Sequence, residues 1–239
     1  MSQKVELILS SGFLAFAHHC AFLANIESKN FQVKGIMGTS SGAIAGALFA
    51  AGYSSHEISK ELNRLPPIKL MKLRPHHRKG LMNMSPVMNR LKDILPERIE
   101  DLNIPFAAGV VNQSKQFMIL NTGPLAPAVC ASMAIPGIFH GVDVPGKSDG
   151  PFMDGGVKDR IGLNEWSKSP YSSPDNLKLV HLIEKSTKLS GDDQLQSNRE
   201  SKIRVIESPR SGEFFFKLRK FNEQFKDSKV RIARELSYS

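Results

Sequence analysis

A serine flanked by glycines, between an apolar strand and a helix of small residues, is the feature that most constrains this chain. The stretch at residues 38–47 reads GTSSGAIAGA. Residues 31–37 predict a strand before it, and residues 41–51 predict an alanine-rich helix after it. Strand, Gly-x-Ser-x-Gly and helix in this order form a nucleophile elbow, a sharp turn that exposes the serine hydroxyl. We therefore interpret Ser40 as a candidate nucleophile.

Small residues on both sides of the serine suit such a turn. Gly38 and Gly42 let the backbone bend sharply and let the helix approach the sheet closely. The positive N-terminal end of that helix points to where negative charge would develop on a substrate. A serine nucleophile also needs a base and an oxyanion hole, which must come from elsewhere in the chain.

Strand and helix patterns alternate at the start of the chain, which predicts an α/β fold with a central, mostly parallel sheet flanked by helices. The length permits a single domain over residues 1–239, with residues 205–239 as a C-terminal helical appendage. Residues 186–204 are polar and predict a loop. Further predicted strands occupy residues 5–9, 105–111, 116–120 and 177–183, and further predicted helices occupy residues 14–28, 55–65 and 213–236.

The composition is that of an ordinary globular protein, with 41% hydrophobic residues, 23% charged residues and a net charge of +9. No apolar run is long enough to span a membrane, and we expect no secretory signal. Cys20 and Cys130 are too few for a disulfide framework, so we expect a reduced, cytoplasmic protein. The sequence contains no metal-ligand cluster and no nucleic-acid-binding motif, so we expect no metal, no cofactor and no nucleic-acid partner.

The positive charge is concentrated in residues 64–79, which include no acidic residue. Leucine, isoleucine and methionine are interleaved with the cations there, and this mixture suits peripheral docking on an anionic bilayer. A solvated loop is the other interpretation of the same composition. The candidate membrane-contact residues are Lys69, Lys72, Arg74, Arg78 and Lys79.

The base that would activate the serine has two candidates. Asp154 is followed by Gly155 and Gly156, small residues that suit a turn at a strand end. His181 is the only histidine after Asp154, as the Ser–Asp–His order of a hydrolase triad requires. It lies in an apolar predicted strand, where a buried structural histidine is the alternative.

Four segments in the same order resemble the patatin-like phospholipase family. They are the elbow at residues 38–43, the Asp-Gly-Gly turn at residues 154–156, the stretch ASMAIPGIF at residues 131–139, and the helix around residues 16–18. The similarity covers roughly residues 4–165. It implies a patatin-like three-layer sandwich, in which helices cover both faces of the sheet.

The resemblance also implies an activity. The family hydrolyses fatty acyl esters of phospholipids, lysophospholipids or neutral glycerolipids through a Ser–Asp dyad, here Ser40 and Asp154. Ser40 would attack the ester carbonyl while Asp154 accepts its proton, without a histidine. An ordinary aspartate is a weak base at neutral pH, so a dry site and strong oxyanion stabilisation must supplement it.

The chain departs from the family pattern at the predicted oxyanion loop. The amides of Gly12 and Phe13 are the candidate donors, but Leu14 and Ala15 replace the basic residue and the glycine that the family usually has. The family's Asn-x-Pro turn after the aspartate is also missing, and residues 159–162 read DRIG. These differences leave open a second hypothesis, a weakly active or inactive relative that binds lipid or a partner. A Ser–Asp–His triad is the third.

Overall fold

The computed structural model describes residues 2–29, 31–64, 72–73, 82–185, 190–195, 202–211 and 220–237, with the backbone alone for residues 72–73. The strands are β1 (Lys4–Leu9), β2 (Gln32–Thr39), β3 (Lys72–Leu73), β4 (Met82–Asn83), β5 (Phe106–Val111), β6 (Phe117–Leu120), β7 (Met153–Asp154), β8 (Leu177–Ile183) and β9 (Ile203–Ser208). The helices are α1 (Phe16–Ser28), α2 (Ser41–Ala50), α3 (Ser55–Arg64), α4 (Ser85–Ile94), α5 (Leu125–Met133), α6 (Leu163–Ser167) and α7 (Phe221–Glu235).

The main sheet is mostly parallel, with the strand order β6-β5-β2-β1-β8-β9. All neighbours from β5 to β9 in this order run parallel, whereas β6 and β7 both pair antiparallel with β5. Strands β3 and β4 form a separate short hairpin. The fold class predicted from the sequence is therefore confirmed, and the carboxyl ends of the parallel strands share one edge of the sheet.

Helices cover both faces of this sheet. Successive residues of β1 alternate between two apolar clusters, as the period of a strand requires. Leu7 and Leu9 pack in the larger cluster with α1, α2 and α5, while Ile8 packs in a smaller one with Trp166 of α6. Helix α7 packs against α1 on the outside of the molecule. Burial on both faces explains why apolar residues predominate in the central strands.

Several boundaries differ from the sequence-based expectations. Strand β2 continues to Thr39, the residue before the candidate nucleophile, and α1 begins only at Phe16 because Leu14 has a left-handed φ of 52°. Residues 203–204 belong to β9 and not to a loop, because they pair with β8. Helix α7 begins at Phe221, and residues 213–219 of the predicted C-terminal helix lie outside the described residues. Among the described helices, none is long and apolar enough to cross a membrane.

Candidate active site

The turn between β2 and α2 holds Ser40 in a backbone conformation that few non-glycine residues adopt. Its φ is 55° and its ψ is −118°, and such torsion angles persist only where the surrounding structure enforces them. A Cβ atom on Gly42 would lie 2.2 Å from the carbonyl oxygen of Leu9, and one on Gly38 would lie 2.6 Å from the carbonyl oxygen of Gly42. Glycine is required at both positions because any side chain would force α2 away from the sheet.

Ser132 of α5 fastens this turn to the neighbouring strand. The amide of Ser40 donates to the Ser132 Oγ at 2.9 Å, and the same hydroxyl donates to the carbonyl oxygen of Gly109 in β5 at 2.7 Å. Ser132 is fully buried, so both bonds are shielded from water. Ser132 was not predicted as a site residue, although a serine in a segment of small apolar residues indicates a buried polar contact.

Strand β7 brings Asp154 next to the same turn. Strands β2 and β5 pair up to Thr39 and Gly109, and Asp154 of β7 then lies opposite Val110. The other edge of β5 is occupied by β6, so β7 must continue along the edge where β2 ends. Along this edge of β5, Asp154 therefore occupies the position immediately beyond Thr39. Ser40 is the residue at which the chain turns away from the same position.

The carboxyl group of Asp154 is buried, with 3% of the residue exposed. The amide of Gly156 donates to its Oδ1 at 2.7 Å. Burial raises the pKa of Asp154 from 3.8 to about 6, and hydrogen bonds from the Ser40 side chain and the Gly156 amide oppose part of this rise. The site thus pairs a serine hydroxyl with a carboxyl group that is a stronger base than an exposed aspartate.

The two glycines after Asp154 are also required by close contacts. A Cβ atom on Gly155 would lie 2.6 Å from the carbonyl oxygen of Gly109, and one on Gly156 would lie 2.2 Å from the Oγ of Ser11. The first distance shows that the turn lies directly against β5, and the second shows that it lies directly against the predicted oxyanion loop. The two glycines of the elbow and the two glycines after Asp154 therefore all lie where there is no room for a side chain.

The predicted oxyanion loop lies beside the start of α2. The carbonyl oxygen of Gly12 accepts hydrogen bonds from the Ser41 Oγ at 2.7 Å and from the Ala15 amide at 3.2 Å. These two bonds fix the plane of the peptide that joins Gly12 to Phe13. Gly12 and Phe13 both line the cavity that contains Ser40, so the structure brings the candidate donors and the candidate nucleophile to the same cavity.

This cavity comprises about 890 Å³ of space, part of it open to solvent. Helices α2, α3 and α4 and the predicted oxyanion loop form most of its wall. An ion pair between Glu61 and Arg90 also lines it, with Arg90 donating two bonds of 2.7 and 2.8 Å. The rest of the wall is mainly apolar and includes Ile44, Leu48, Leu62, Val87, Leu91 and Ile94.

His181 is bound to other buried groups. Its Nδ1 lies 2.9 Å from the Nδ1 of His19, and its Nε2 lies 2.8 Å from the Oγ of Ser208. The ring of Phe22 stacks on it at a centroid distance of 4.6 Å. Burial lowers the pKa of His181 well below 6.5, and neighbouring positive charge lowers it further. Both ring nitrogens of His181 are therefore engaged away from Ser40.

The membrane-contact candidates are largely outside the described residues. Lys69, Arg74, Arg78 and Lys79 lie outside them, and Lys72 is described only by its backbone in β3. A role for these residues at a membrane stays a prediction.

The fold and site define a three-layer α/β protein that carries a serine at a strand–helix turn beside a buried aspartate. The sequence model of the family described as patatin-like phospholipase matches residues 7–165. The chain belongs to the patatin-like phospholipase family, as its motifs predicted.

Individual relatives and solved structures share 30% or less of their sequence with this chain. Two uncharacterized NTE family proteins, one from Mycobacterium tuberculosis and one from Mycobacterium bovis, are each 30% identical over 167 residues, which cover 68% of this chain and 45% of the relative. The chain thus spans about half the length of these relatives. The crystal structure of VipD from Legionella pneumophila matches 99% of this chain and 67% of its own, with a TM-score of 0.65 and 10% identity. The type III effector protein ExoU matches 98% of this chain and 53% of its own, with a TM-score of 0.54 and 12% identity.

Proposed function

We propose that this protein is a lipid acyl hydrolase, a serine esterase of the phospholipase A or lysophospholipase type, with Ser40 as nucleophile and Asp154 as base. The proposal rests on one observation: the strained strand–helix turn holds Ser40 beside the buried carboxyl group of Asp154, whose pKa burial raises to about 6. A general base is most effective when its pKa approaches the working pH. Membership of the patatin-like phospholipase family supports the same activity.

In the acylation step, the Ser40 Oγ attacks the carbonyl carbon of a fatty acyl ester and Asp154 takes the hydroxyl proton. The electron pair of the C=O double bond moves to the carbonyl oxygen, which becomes an oxyanion. The amides of Gly12 and Phe13 and the N-terminal end of α2 stabilise this charge. The tetrahedral intermediate then collapses, the bond to the alcohol breaks, and Asp154 returns the proton to the departing oxygen.

Deacylation repeats these steps with water. Asp154 accepts a proton from a water molecule, which attacks the acyl carbon bound to Ser40. A second oxyanion forms in the same position, and its collapse releases the fatty acid. Asp154 returns the proton to the Ser40 oxygen, so the site regains its starting state. Every proton transfer uses one carboxyl group, which explains why a pKa between those of an exposed aspartate and of water is useful.

The cavity supports an acyl ester with a long hydrocarbon chain as substrate. Its mainly apolar wall can remove a chain from water, which is worth roughly 0.8 kcal/mol for each methylene group. Ser40 lies in the wall of the same cavity, so a chain within it brings its ester group to the nucleophile. The proposed substrates are phospholipids, lysophospholipids and neutral glycerolipids, since each presents the same acyl group.

We propose that the protein is cytoplasmic and that it docks peripherally on an anionic bilayer to reach its substrate. The support is the cluster of cations and apolar residues at 64–79. Charge attraction of this kind weakens as salt shortens the Debye length. Vesicle sedimentation should therefore show binding that rises with the fraction of anionic lipid and falls with added salt. Equal, salt-independent binding to neutral vesicles would contradict it.

The proposal is tested first with a fluorophosphonate probe, which phosphonylates activated serines. We expect labelling of the wild-type protein, none in Ser40→Ala and weak labelling in Asp154→Asn. Ser85→Ala is the matched control, because Ser85 is exposed at the start of α4. If the folded wild-type protein is not labelled, the second hypothesis, a lipid-binding relative without activity, is favoured. The most direct cause of the missing activity would then be Leu14, which stands in the predicted oxyanion loop where the family usually has a basic residue.

A further inference from the structure

We infer that Arg160 is a positioning residue for the oxyanion hole, because it holds the Ser11–Gly12 peptide with the Gly12 amide on the side of Ser40. The inference rests on the proposed function, since the orientation of this amide matters chemically only if an oxyanion forms at the site. Arg160 belongs to the stretch in which the chain departs from the usual turn after Asp154. It is only 2% exposed.

The guanidinium group of Arg160 is bound on several sides. Its Nη2 donates to the carbonyl oxygen of Ser11 at 3.0 Å and also to the carbonyl oxygen of Ile183 at the end of β8. Its Nη1 donates to the Oδ1 of Asp193 at 2.7 Å. The amide of Ser11 in turn donates to the carbonyl oxygen of Arg160 at 2.7 Å. Ser11 is therefore held by both the main chain and the side chain of Arg160.

The bond to the Ser11 carbonyl determines where the next amide points. Ser11 C=O and Gly12 N–H belong to one planar trans peptide, so they point in opposite directions. The carbonyl is directed towards Arg160, which lines a separate cleft with Ile183 and Asp193. Gly12 lines the cavity of the candidate nucleophile. The geometry thus turns the Gly12 amide away from Arg160.

The peptide that joins Gly12 to Phe13 is held independently, by the hydrogen bond that the Ser41 Oγ donates to the Gly12 carbonyl oxygen. Arg160 and Ser41 therefore fix the two peptides that flank Gly12. Without the guanidinium group, the Ser11 carbonyl loses a charge-assisted bond, which is about twice as strong as a neutral one. A rotated peptide would present a carbonyl oxygen to the oxyanion and would remove a donor, a loss that costs about 10²–10³ in rate.

A ketone that mimics the transition state separates this role from a purely structural one. An alkyl trifluoromethyl ketone binds as a hemiketal: the Ser40 Oγ bonds to the carbonyl carbon, the C=O electron pair moves to oxygen, and Asp154 receives the proton. An ether analogue of a lysophospholipid binds the same cavity without forming an oxyanion. Fluorine NMR measures the first affinity, and calorimetry measures the second.

For Arg160→Met we expect the affinity for the ketone to fall about 10²-fold, with the affinity for the ether lipid unchanged. Arg160→Lys should recover part of the ketone affinity, because a lysine can donate one charge-assisted bond to the Ser11 carbonyl. Arg231→Met is the matched control and should keep the ketone affinity, since Arg231 binds the Glu207 carbonyl and Ser208 on β9.

Three results would overturn the inference. The first is an Arg160→Met protein that binds the ketone as tightly as the wild type. The second is an equal loss of affinity for both ligands, which indicates a structural role alone. If Arg160→Met does not fold, the same criteria apply to Arg160→Gln, whose amide can offer the Ser11 carbonyl only a neutral bond. The third is a wild-type protein that forms no hemiketal, which removes the proposed function and this inference together, whereas the first two leave the proposed function intact.

Discussion

Asp154→Asn should make the protein more stable at neutral pH while sharply lowering its activity. The wild-type structure keeps a carboxyl group in a buried position where its charged form is disfavoured, so the pKa rises from 3.8 to about 6. An asparagine has nearly the same shape, can still accept the hydrogen bond from Gly156, and can donate one to Ser40. It carries no charge to desolvate.

The magnitude follows from the pKa. One pKa unit corresponds to about 1.36 kcal/mol, so the interval between 3.8 and about 6 corresponds to about 3 kcal/mol. The folded state binds the proton more tightly than the unfolded state. Proton binding by Asp154 therefore stabilises the folded wild-type protein fully below pH 3.8. This contribution to the free energy of unfolding is lost as the pH rises through about 6. The asparagine variant has no such loss.

The assay is urea unfolding of both proteins across this pH interval. The free energy of unfolding of Asp154→Asn minus that of the wild type should increase by about 3 kcal/mol from acidic to neutral pH. Asp175→Asn removes an exposed carboxylate and should show no comparable increase, because water solvates that charge in both states. A difference that stays constant with pH, or a variant that is less stable at neutral pH, would refute the argument.

The same pKa predicts the pH dependence of the chemistry. Only the ionised carboxylate of Asp154 can accept the Ser40 proton, so the labelling rate of the wild-type protein should rise as the pH increases through about 6. Asp154→Asn should lose about 10²–10⁴ in rate, the usual contribution of a general base. Higher stability with lower reactivity in one variant cannot be explained by unfolding.

Three other substitutions test neighbouring parts of the site. Ser132→Ala should lower the free energy of unfolding by about 1–3 kcal/mol, because the buried amide of Ser40 loses its acceptor, and should slow probe labelling in the folded fraction. Gly42→Ala should cost about 1–3 kcal/mol in thermal or urea unfolding, because its methyl group would overlap the Leu9 carbonyl. His181→Gln should leave the labelling rate of the folded protein unchanged, whereas complete loss of labelling would favour the triad.

Much of the fold could be predicted because local patterns agree with it. Strand β8 has the predicted bounds, and α2 and α3 end within one residue of their predicted ends. Strand β7 could not be predicted from its two residues, because they become a strand only by pairing with β5. Strand β9 was not predicted for a similar reason, since its polar neighbours dominate the local composition and its partner is distant in the chain.

The sequence alone determined the motifs that identify the family, and it did so through steric necessity. Gly38, Gly42, Gly155 and Gly156 occupy places where the backbone leaves no room for a side chain, so these positions can be recognised without coordinates. The order of the motifs was sufficient to pair Ser40 with a candidate aspartate. Local spacing carries such information because a tight turn depends on its own few residues.

Only the tertiary structure decided what surrounds those residues. The raised pKa of Asp154 depends on burial by distant elements, and the contacts of Ser132 and Arg160 join segments that are far apart in the chain. The order of residues along the sequence made His181 a candidate base, but folding places His19 and Ser208 against its two ring nitrogens. Desolvation and hydrogen bonding depend on which groups meet in space, and residue spacing along the chain does not specify those meetings.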